Sequence, residues 1–354
     1  MRHNTGGFVT VLEPSLISPG SGQQPPLVGQ NLAIQYLKAG LRKQRLVPAY
    51  LFAGPDGVGR AIAARWFARA LLCPHRFDGH DLPCGQCSSC HRISEGDRTR
   101  DNHPDLLWVE PTYRHQGKTI SVSEAIAAGH TLKSPPQVRL EQVRGISQFA
   151  ARTPLEAHRS VIIMTGAETL AEAAANALLK TLEEPRQAHL ILLATDPALL
   201  LPTIVSRCQV LPFRRLSTAQ VTAILQSVRS DTTDARPTDT SIPGIALALA
   251  QGSPGKALEA IDMWQAIPSD LIERLQQWPT SLKSSLTLGR DIAKQLDVPR
   301  QLWLLDYLQH SASSSPFPCG KTDVIKRLER ARKQLRAFVQ PQLVWEVALK
   351  PENG

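Results

Sequence analysis

Three segments of this chain are apolar almost without interruption: AYLFAG (49–54), RSVIIMTG (159–166) and AHLILLAT (188–195). A strand with one wet face alternates apolar and polar residues, so runs like these belong to strands buried on both faces. HPDLLWVEP (103–111) and CQVLPF (208–213) are two further strand candidates. Between the strands lie segments with helical spacing. QNLAIQYLKAGLRKQR (30–45) carries Leu32, Ile34, Leu37 and Leu41, and GRAIAARWFARALLC (59–73) puts Ile62, Trp66, Phe67 and Ala70 on its apolar side. RLEQVRGISQFAAR (139–152) carries Leu140, Val143, Ile146 and Phe149, and AEAAANALLKTLEEP (171–185) is stopped by Pro185. Strands alternating with helices predict an α/β domain whose parallel sheet is covered on both faces.

After Phe213 the strand signals stop. STAQVTAILQSVRS (217–230) and SIPGIALALAQGSPGKALEAIDMWQ (241–265) read as helices around a polar linker at 230–240. DVIKRLERARKQLRAFV (323–339) has Ile325, Leu328, Leu335 and Phe338 on one face and a dense basic face opposite. The reading is a loose polar tail (1–26), an α/β domain (27–213), a small helical domain (214–262) and a C-terminal helical domain (263–354). Residues 112–136 hold Gly, Ser and a Pro-Pro pair without periodicity and are expected to form a mobile loop. No run of 18 apolar residues predicts a membrane span, and the N-terminal stretch lacks the regions of a signal peptide, so a cytoplasmic protein is expected. The net charge of +9 permits contact with nucleic acid. Neither a base-reading motif nor an aromatic stacking platform accompanies it, which limits such contact to backbone phosphates.

The turn after the first strand, GPDGVGRA (54–61), nearly fits the phosphate-binding pattern G-x-x-x-x-G-K-[ST]. Gly54 and Gly59 have the right spacing, with Gly57 between them, but Arg60 stands for the Lys and Ala61 for the Ser or Thr. In a working loop the Lys reaches the β- and γ-phosphates and the hydroxyl ligates magnesium. The planar Arg fork is bulkier than an ammonium, and Ala61 offers no oxygen.

Four of the six cysteines, Cys73, Cys84, Cys87 and Cys90, are spaced C-x10-C-x2-C-x2-C. Four thiolates suit a tetrahedral zinc ion and fill every coordination position, which makes the expected site structural rather than catalytic. An iron–sulfur cluster and a set of unrelated buried thiols are the other readings. Cys208 and Cys319 lie far off in sequence and are given no metal role.

NALLKTLEEP (176–185), LILLAT (190–195) and LLPTIVSRCQVLPF (200–213), with the cysteines inserted after the P-loop helix, resemble the clamp-loader AAA+ proteins of bacterial DNA polymerase III. The resemblance covers about residues 27–262 and, more weakly, the helical C-terminus. It implies an AAA+ P-loop-like parallel sheet domain with a zinc module, a small helical lid domain and a C-terminal helical collar. It also allows each nucleotide-handling position to be tested. The acidic Walker B pair falls on Thr165 and Gly166, and the sensor Arg of the lid falls on Gly255, with Lys256 beside it on another helical face. Thr195 matches the first sensor position, and Glu168 is expected to sit outside the site. With the magnesium ligand, both acids and the sensor Arg missing, ATP–magnesium is not expected to be bound productively and hydrolysis is expected to be negligible.

Ser206-Arg207-Cys208 is intact. The resemblance implies that Arg207 is an arginine finger acting in trans on the ATP site of a neighbouring gamma/tau subunit. The implied partners are gamma/tau and delta, the sliding clamp through the complex, and primer–template DNA through its backbone, weakly or indirectly. For the basic helix around Lys326, Arg327, Arg330 and Lys333 two readings stay open, pairing with a neighbour and facing solvent, and the second is favoured. Two other functions remain in view: an active gamma/tau-type clamp-loader ATPase, and a zinc-containing nucleic-acid-binding protein on an inactive AAA+ fold. The intact finger argues against the latter, because a finger is useless without a neighbour's nucleotide.

Overall fold

The structure is a computed structural model and describes residues 27–77, 83–93, 102–115, 118–121, 124–125, 135–230, 244–314, 321–337 and 339–351. The tail read at 1–26 lies outside the described residues, as does the linker read at 230–240 apart from Ser230. The chain forms two compact units. One takes the described residues up to Ala53 together with Ala61–Leu211; the other takes Gly54–Arg60 and the described residues from Pro212 onward.

Up to Pro212 the order is α1 (Asn31–Arg42), β1 (Ala49–Ala53), α2 (Arg60–Leu72), α3 (Ser88–Arg92), β2 (Leu106–Val109), β3 (Thr112–His115), β4 (Lys118–Ser121), α4 (Leu140–Ala151), β5 (Ser160–Met164), α5 (Glu172–Glu183), β6 (Ala188–Ala194), α6 (Pro202–Val205) and β7 (Gln209–Pro212). The main sheet has the order β2-β5-β6-β1-β7, and β2–β5, β5–β6 and β6–β1 are parallel, in a register that sets Leu51 beside Leu192 and Ile163 beside Ile191. The three uninterrupted apolar runs are the three central strands, and every residue in them is buried. The two mixed segments are the edges, where one side of the ladder meets no other strand.

Side chains alternate across the sheet as a strand period of two requires. Leu51, Ile162, Met164, Leu190 and Leu192 share a core with Val143 and Ile146 of α4 and Leu178 and Leu182 of α5. Tyr50 alternates with Leu51 and meets Phe67 of α2 edge-on at 5.1 Å. Trp66, Phe67 and Ala70 of α2 are buried as their spacing predicts, but Ile62 is exposed.

Residues 112–115 and 118–121 correct the loop expectation. β3 and β4 pair antiparallel, with Tyr113 opposite Ile120 and Thr112 opposite Ser121. Each strand has four residues, too few for an alternating pattern to stand out, and cross-strand aromatic and β-branched pairs stabilise such ribbons. Residues 126–134 of that stretch lie outside the described residues.

Asp105, fully buried ahead of β2, accepts backbone N–H groups from Leu155 at 2.7 Å and from Glu156 and Ala157 at 2.8 Å. Burial pushes its carboxyl up, but the three donors outweigh that and hold it below the ordinary carboxylate value. A depressed folded-state value contributes stability above the unfolded value, and this is lost as pH falls through the folded one. Asp105→Ala leaves three donors without their acceptor and is expected to cost about 3 kcal/mol at neutral pH. The difference from wild type should shrink as pH falls below the unfolded carboxylate value of about 3.9 toward the lower folded one. Urea unfolding at pH 7 and pH 3 checks both statements.

From Thr218 onward the described elements are all helices: α7 (Thr218–Ser230), α8 (Gly244–Ala250), α9 (Pro254–Gln265), α10 (Ser269–Gln276), α11 (Leu282–Gln295), α12 (Val298–Ser314), α13 (Lys321–Arg336) and α14 (Pro341–Ala348). Leu271, Ile292, Leu304, Leu328 and Trp345 anchor their core, and Ile245, Leu249 and Trp264 of α8 and α9 pack against the same cluster. The buried Trp345 indole donates to Gln301 Oε1 at 2.9 Å. On α13 the buried stripe is Val324, Leu328, Ala331 and Leu335. Ile325, expected on that stripe, is only half-buried because it lies one residue out of phase, and Phe338 is outside the described residues. Lys326, Arg330 and Lys333 are exposed, whereas Arg327 is half-buried and donates to the Lys350 carbonyl. Among the described residues no helix is long and apolar enough to cross a membrane.

Candidate functional site

Four sulfurs come together near the end of α2. Cys73 follows that helix, Cys84 and Cys87 precede α3, and Cys90 lies within it, so one short turn presents three thiols to the fourth. All four Sγ atoms lie within 4.8 Å of one another, with Cys73–Cys87 and Cys84–Cys90 each at 3.9 Å. A metal bound at Zn–S distances of about 2.3 Å in a tetrahedron separates its sulfurs by about 3.8 Å. The Cys87 N–H points at Cys84 Sγ (3.3 Å) and the Cys90 N–H at Cys87 Sγ (3.4 Å), as suits sulfurs carrying negative charge. The Cys90 thiol holds Cys73 down to about 4, and Cys73 in turn holds Cys90 well above the ordinary thiol value. The arrangement fits a metal ion with no open coordination position.

The phosphate-loop remnant, Gly54–Arg60, is engaged within its own unit. Arg60, at the Lys position, is buried and turned back onto the Asp56 carboxylate. Ser253 caps α9 by accepting the Lys256 N–H at 3.3 Å, and its own hydroxyl donates to the Asp56 carbonyl at 2.7 Å. Gly255, at the sensor Arg position, donates its N–H to the Gly57 carbonyl at 2.9 Å. A Cβ on Gly255 would lie 2.7 Å from Gly57 Cα, and one on Gly57 would lie 3.0 Å from Gly255 Cα. Gly57 also has φ +75°, a left-handed conformation that favours glycine. The missing Arg is thus a close backbone approach that any side chain would disturb. Ala61, the next residue of α2, is exposed, and Gly59 is half-buried with φ +102°.

In the other unit, Thr165 and Gly166 follow β5, at the positions of the acidic pair. The Thr165 hydroxyl donates to the Val109 carbonyl at 3.4 Å, and Gly166 takes φ +60° with Pro111 against it. Thr195, at the end of β6, donates its hydroxyl to Glu168 Oε1 at 2.8 Å, and its N–H lies 3.3 Å from the same atom. Glu168, set aside on sequence grounds, is therefore the partner of the sensor Thr.

In the SRC motif Ser206 and Arg207 share one acceptor, the Thr203 carbonyl, while Cys208 faces the core. The Ser206 hydroxyl donates to the Thr203 carbonyl at 3.1 Å and closes α6. Cys208 turns inward against the core, where burial pushes its thiol up to about 12 and leaves it inert. Arg207 turns outward, with its side chain 37% exposed. Its Nε and Nη2 both donate to Glu183 Oε1, at 3.0 and 2.6 Å, and its Nη1 donates to the Thr203 carbonyl at 3.1 Å. Nearby in the chain, Leu199 and Leu201 are apolar and exposed. Sequence reasoning missed the partners Glu183, Asp56 and Ser253. Only Ser253 had a local signal, a Ser-Pro pair ahead of a helical run.

A family model described as "DNA polymerase III, delta subunit" matches residues 29–217, and one described as "Cyanobacterial DNA polymerase III delta prime, C-terminal domain" matches residues 219–351. DNA polymerase III subunit delta' of Bacillus subtilis is 35% identical over 188 residues, 53% of this chain and 48% of that protein. DNA polymerase III subunit tau/gamma of Haemophilus influenzae is 33% identical over 203 residues, 57% of this chain and 25% of that protein. The chain thus spans about half the length, or less, of these relatives. A gamma subunit-related protein of Thermotoga maritima aligns with 90% of this chain and 97% of its own at 15% identity, with a TM-score of 0.49. Matched by the first model over more than half its length and by the delta prime model over most of the rest, the chain belongs to the DNA polymerase III delta-prime family of clamp-loader subunits.

Proposed function

We propose that this chain is a clamp-loader subunit that does not hydrolyse ATP and that lends Arg207 to an ATP site on an adjoining gamma/tau-type subunit. One observation carries the reading: the start of α9 packs onto the loop, with the Gly255 N–H on the Gly57 carbonyl and the Ser253 hydroxyl on the Asp56 carbonyl, so the position of the sensor Arg is taken by a close backbone contact that leaves no room for a side chain there. Arg60 supports it, since its charge is turned onto Asp56. So do Thr165 and Gly166, which offer no carboxylate to orient magnesium or the attacking water. Glu168, two residues beyond that pair, is the acceptor of the Thr195 hydroxyl and N–H through Oε1. Arg207, by contrast, is exposed, and Leu199 and Leu201, a few residues before it in the chain, are exposed too.

On this reading the chain assembles with gamma/tau and delta, acts on the sliding clamp through the complex, and meets primer–template DNA only at backbone phosphates. It works in the cytoplasm. Zinc is the ion assigned to Cys73, Cys84, Cys87 and Cys90, because four thiolates in a tetrahedron suit it and leave no site for substrate. Its contribution when bound is to cross-link the chain.

Titration of the isolated chain with Mg-ATP tests the first half of the proposal. Binding weaker than a Kd of about 1 mM is expected; tight binding would overturn it. A second outcome separates occlusion of the loop from simple loss of its side chains. The double variant Arg60→Lys/Ala61→Thr restores the phosphate-loop pattern but leaves α9 on Gly57, and it is expected to bind Mg-ATP no better than wild type. Micromolar binding by that variant would show that side chains alone had disabled the loop.

A further inference from the structure

The geometry points to Glu183 as the positioning residue of the finger: it holds the Arg207 guanidinium ready for the partner's nucleotide. This rests on the assignment of Arg207 as a finger and adds a residue to it. Glu183 ends α5, and the residues before it are fixed by the core. Leu178 and Leu182 are buried, and Thr181 is hydrogen-bonded to Ser147 at 2.8 Å. The carboxylate is therefore presented from a rigid helix end, next to a side chain that would otherwise sample many rotamers.

A guanidinium carries five N–H groups. Glu183 Oε1 engages one on Nε and one on Nη2, and the Thr203 carbonyl engages one on Nη1. One N–H is left on each terminal nitrogen, the number that a bidentate phosphate contact takes. Both anchors come from this chain, so the finger is set before any partner arrives. Fixing a long, partly exposed side chain in advance removes entropy that docking would otherwise have to remove. LEEP and SRC, 24 residues apart at this contact, become two halves of one device.

The test uses a clamp loader assembled from this full chain with gamma/tau-type and delta subunits, followed by rapid phosphate release at saturating ATP on primed DNA. Glu183→Ala is expected to slow the Arg207-dependent turnover about tenfold while leaving the apparent KM for ATP within about twofold. Glu183→Gln, which keeps an acceptor oxygen, is expected to recover most of the rate. In an Arg207→Ala background, Glu183→Ala is expected to add nothing, because a positioning residue has nothing left to position. Wild-type turnover in Glu183→Ala, or a further loss in the Arg207→Ala background, would overturn the assignment of Glu183 while leaving the finger intact. Unchanged turnover in Arg207→Ala itself would instead remove the finger, and this inference with it. Assembly of each complex is checked by gel filtration, so that a subunit lost from the ring is not read as a lost contact.

Discussion

Replacing Arg207 by alanine is expected to slow hydrolysis at the ATP site of the proposed gamma/tau-type partner by about 10³-fold or more. Phosphoryl transfer asks little covalent chemistry of a protein. Its barrier is lowered by charge placed where the γ-phosphate oxygens and the bridging oxygen gain charge in the transition state. An alanine supplies neither the charge nor the two N–H groups that the present hydrogen bonds leave free. Arg207→Lys should recover little, since a single ammonium cannot reproduce the planar fork. In the assembled complex the prediction is read as phosphate release: the rapid phase loses the amplitude of one ATP per complex, and that ATP turns over slowly. The chain itself should stay folded, because Arg207 is exposed and a surface ion pair contributes about 0–1 kcal/mol. Equal thermal midpoints for wild type and variant would confine the effect to the partner's site. A full rapid phase in the variant complex would remove the finger from the proposal.

The strands of the main sheet were legible because their burial is written locally. Uninterrupted apolar runs became β1, β5 and β6 in the middle of the sheet, and the mixed segments became its edges. The β3–β4 ribbon was not legible, since four-residue strands rich in polar residues leave no periodic signal. At the candidate sites the same distinction holds. The four cysteines declare themselves through spacing, because three ligands fall within one turn. Asp56–Ser253 joins residues 197 positions apart, and no local pattern announces such a contact. Gly255 read as an absent arginine; the structure gives it a positive role, a backbone packed against Gly57. Arg207–Glu183 shows a third case. Both residues were in quoted motifs, but their pairing depends on how α5 packs beside α6, which the motifs do not encode.

Removal of the metal from the cysteine cluster should be felt by the whole first unit. Between Cys84 and Ile93 the buried residues are Ser89, Cys90 and Ile93. One buried isoleucine contributes roughly 1.5–3 kcal/mol, whereas ordering a residue's backbone costs about 1–2 kcal/mol. Ten residues cannot be held on those terms, and the Arg92–Glu156 ion pair lies at the surface, where it adds little. A bound zinc ion would supply the difference: four-thiolate zinc sites in small folds supply about 10 kcal/mol or more at neutral pH. Much of that would order the segment itself; a few kcal/mol would reach the rest of the unit through Cys73, which is buried directly after α2. The chain purified under reducing conditions is expected to carry one zinc, released by acid or by a strong chelator. Cys90→Ser is expected to lose it and to unfold about 10 °C lower. Proteolysis between Cys84 and Ile93 should then become rapid, because that segment has little apolar support. Iron with a visible charge-transfer band would replace the zinc assignment but keep the four-sulfur site. A metal-free chain whose Cys90→Ser variant melts at the wild-type temperature would mean that the sulfurs are packed thiols, and that the segment is held by contacts the burial arithmetic does not contain.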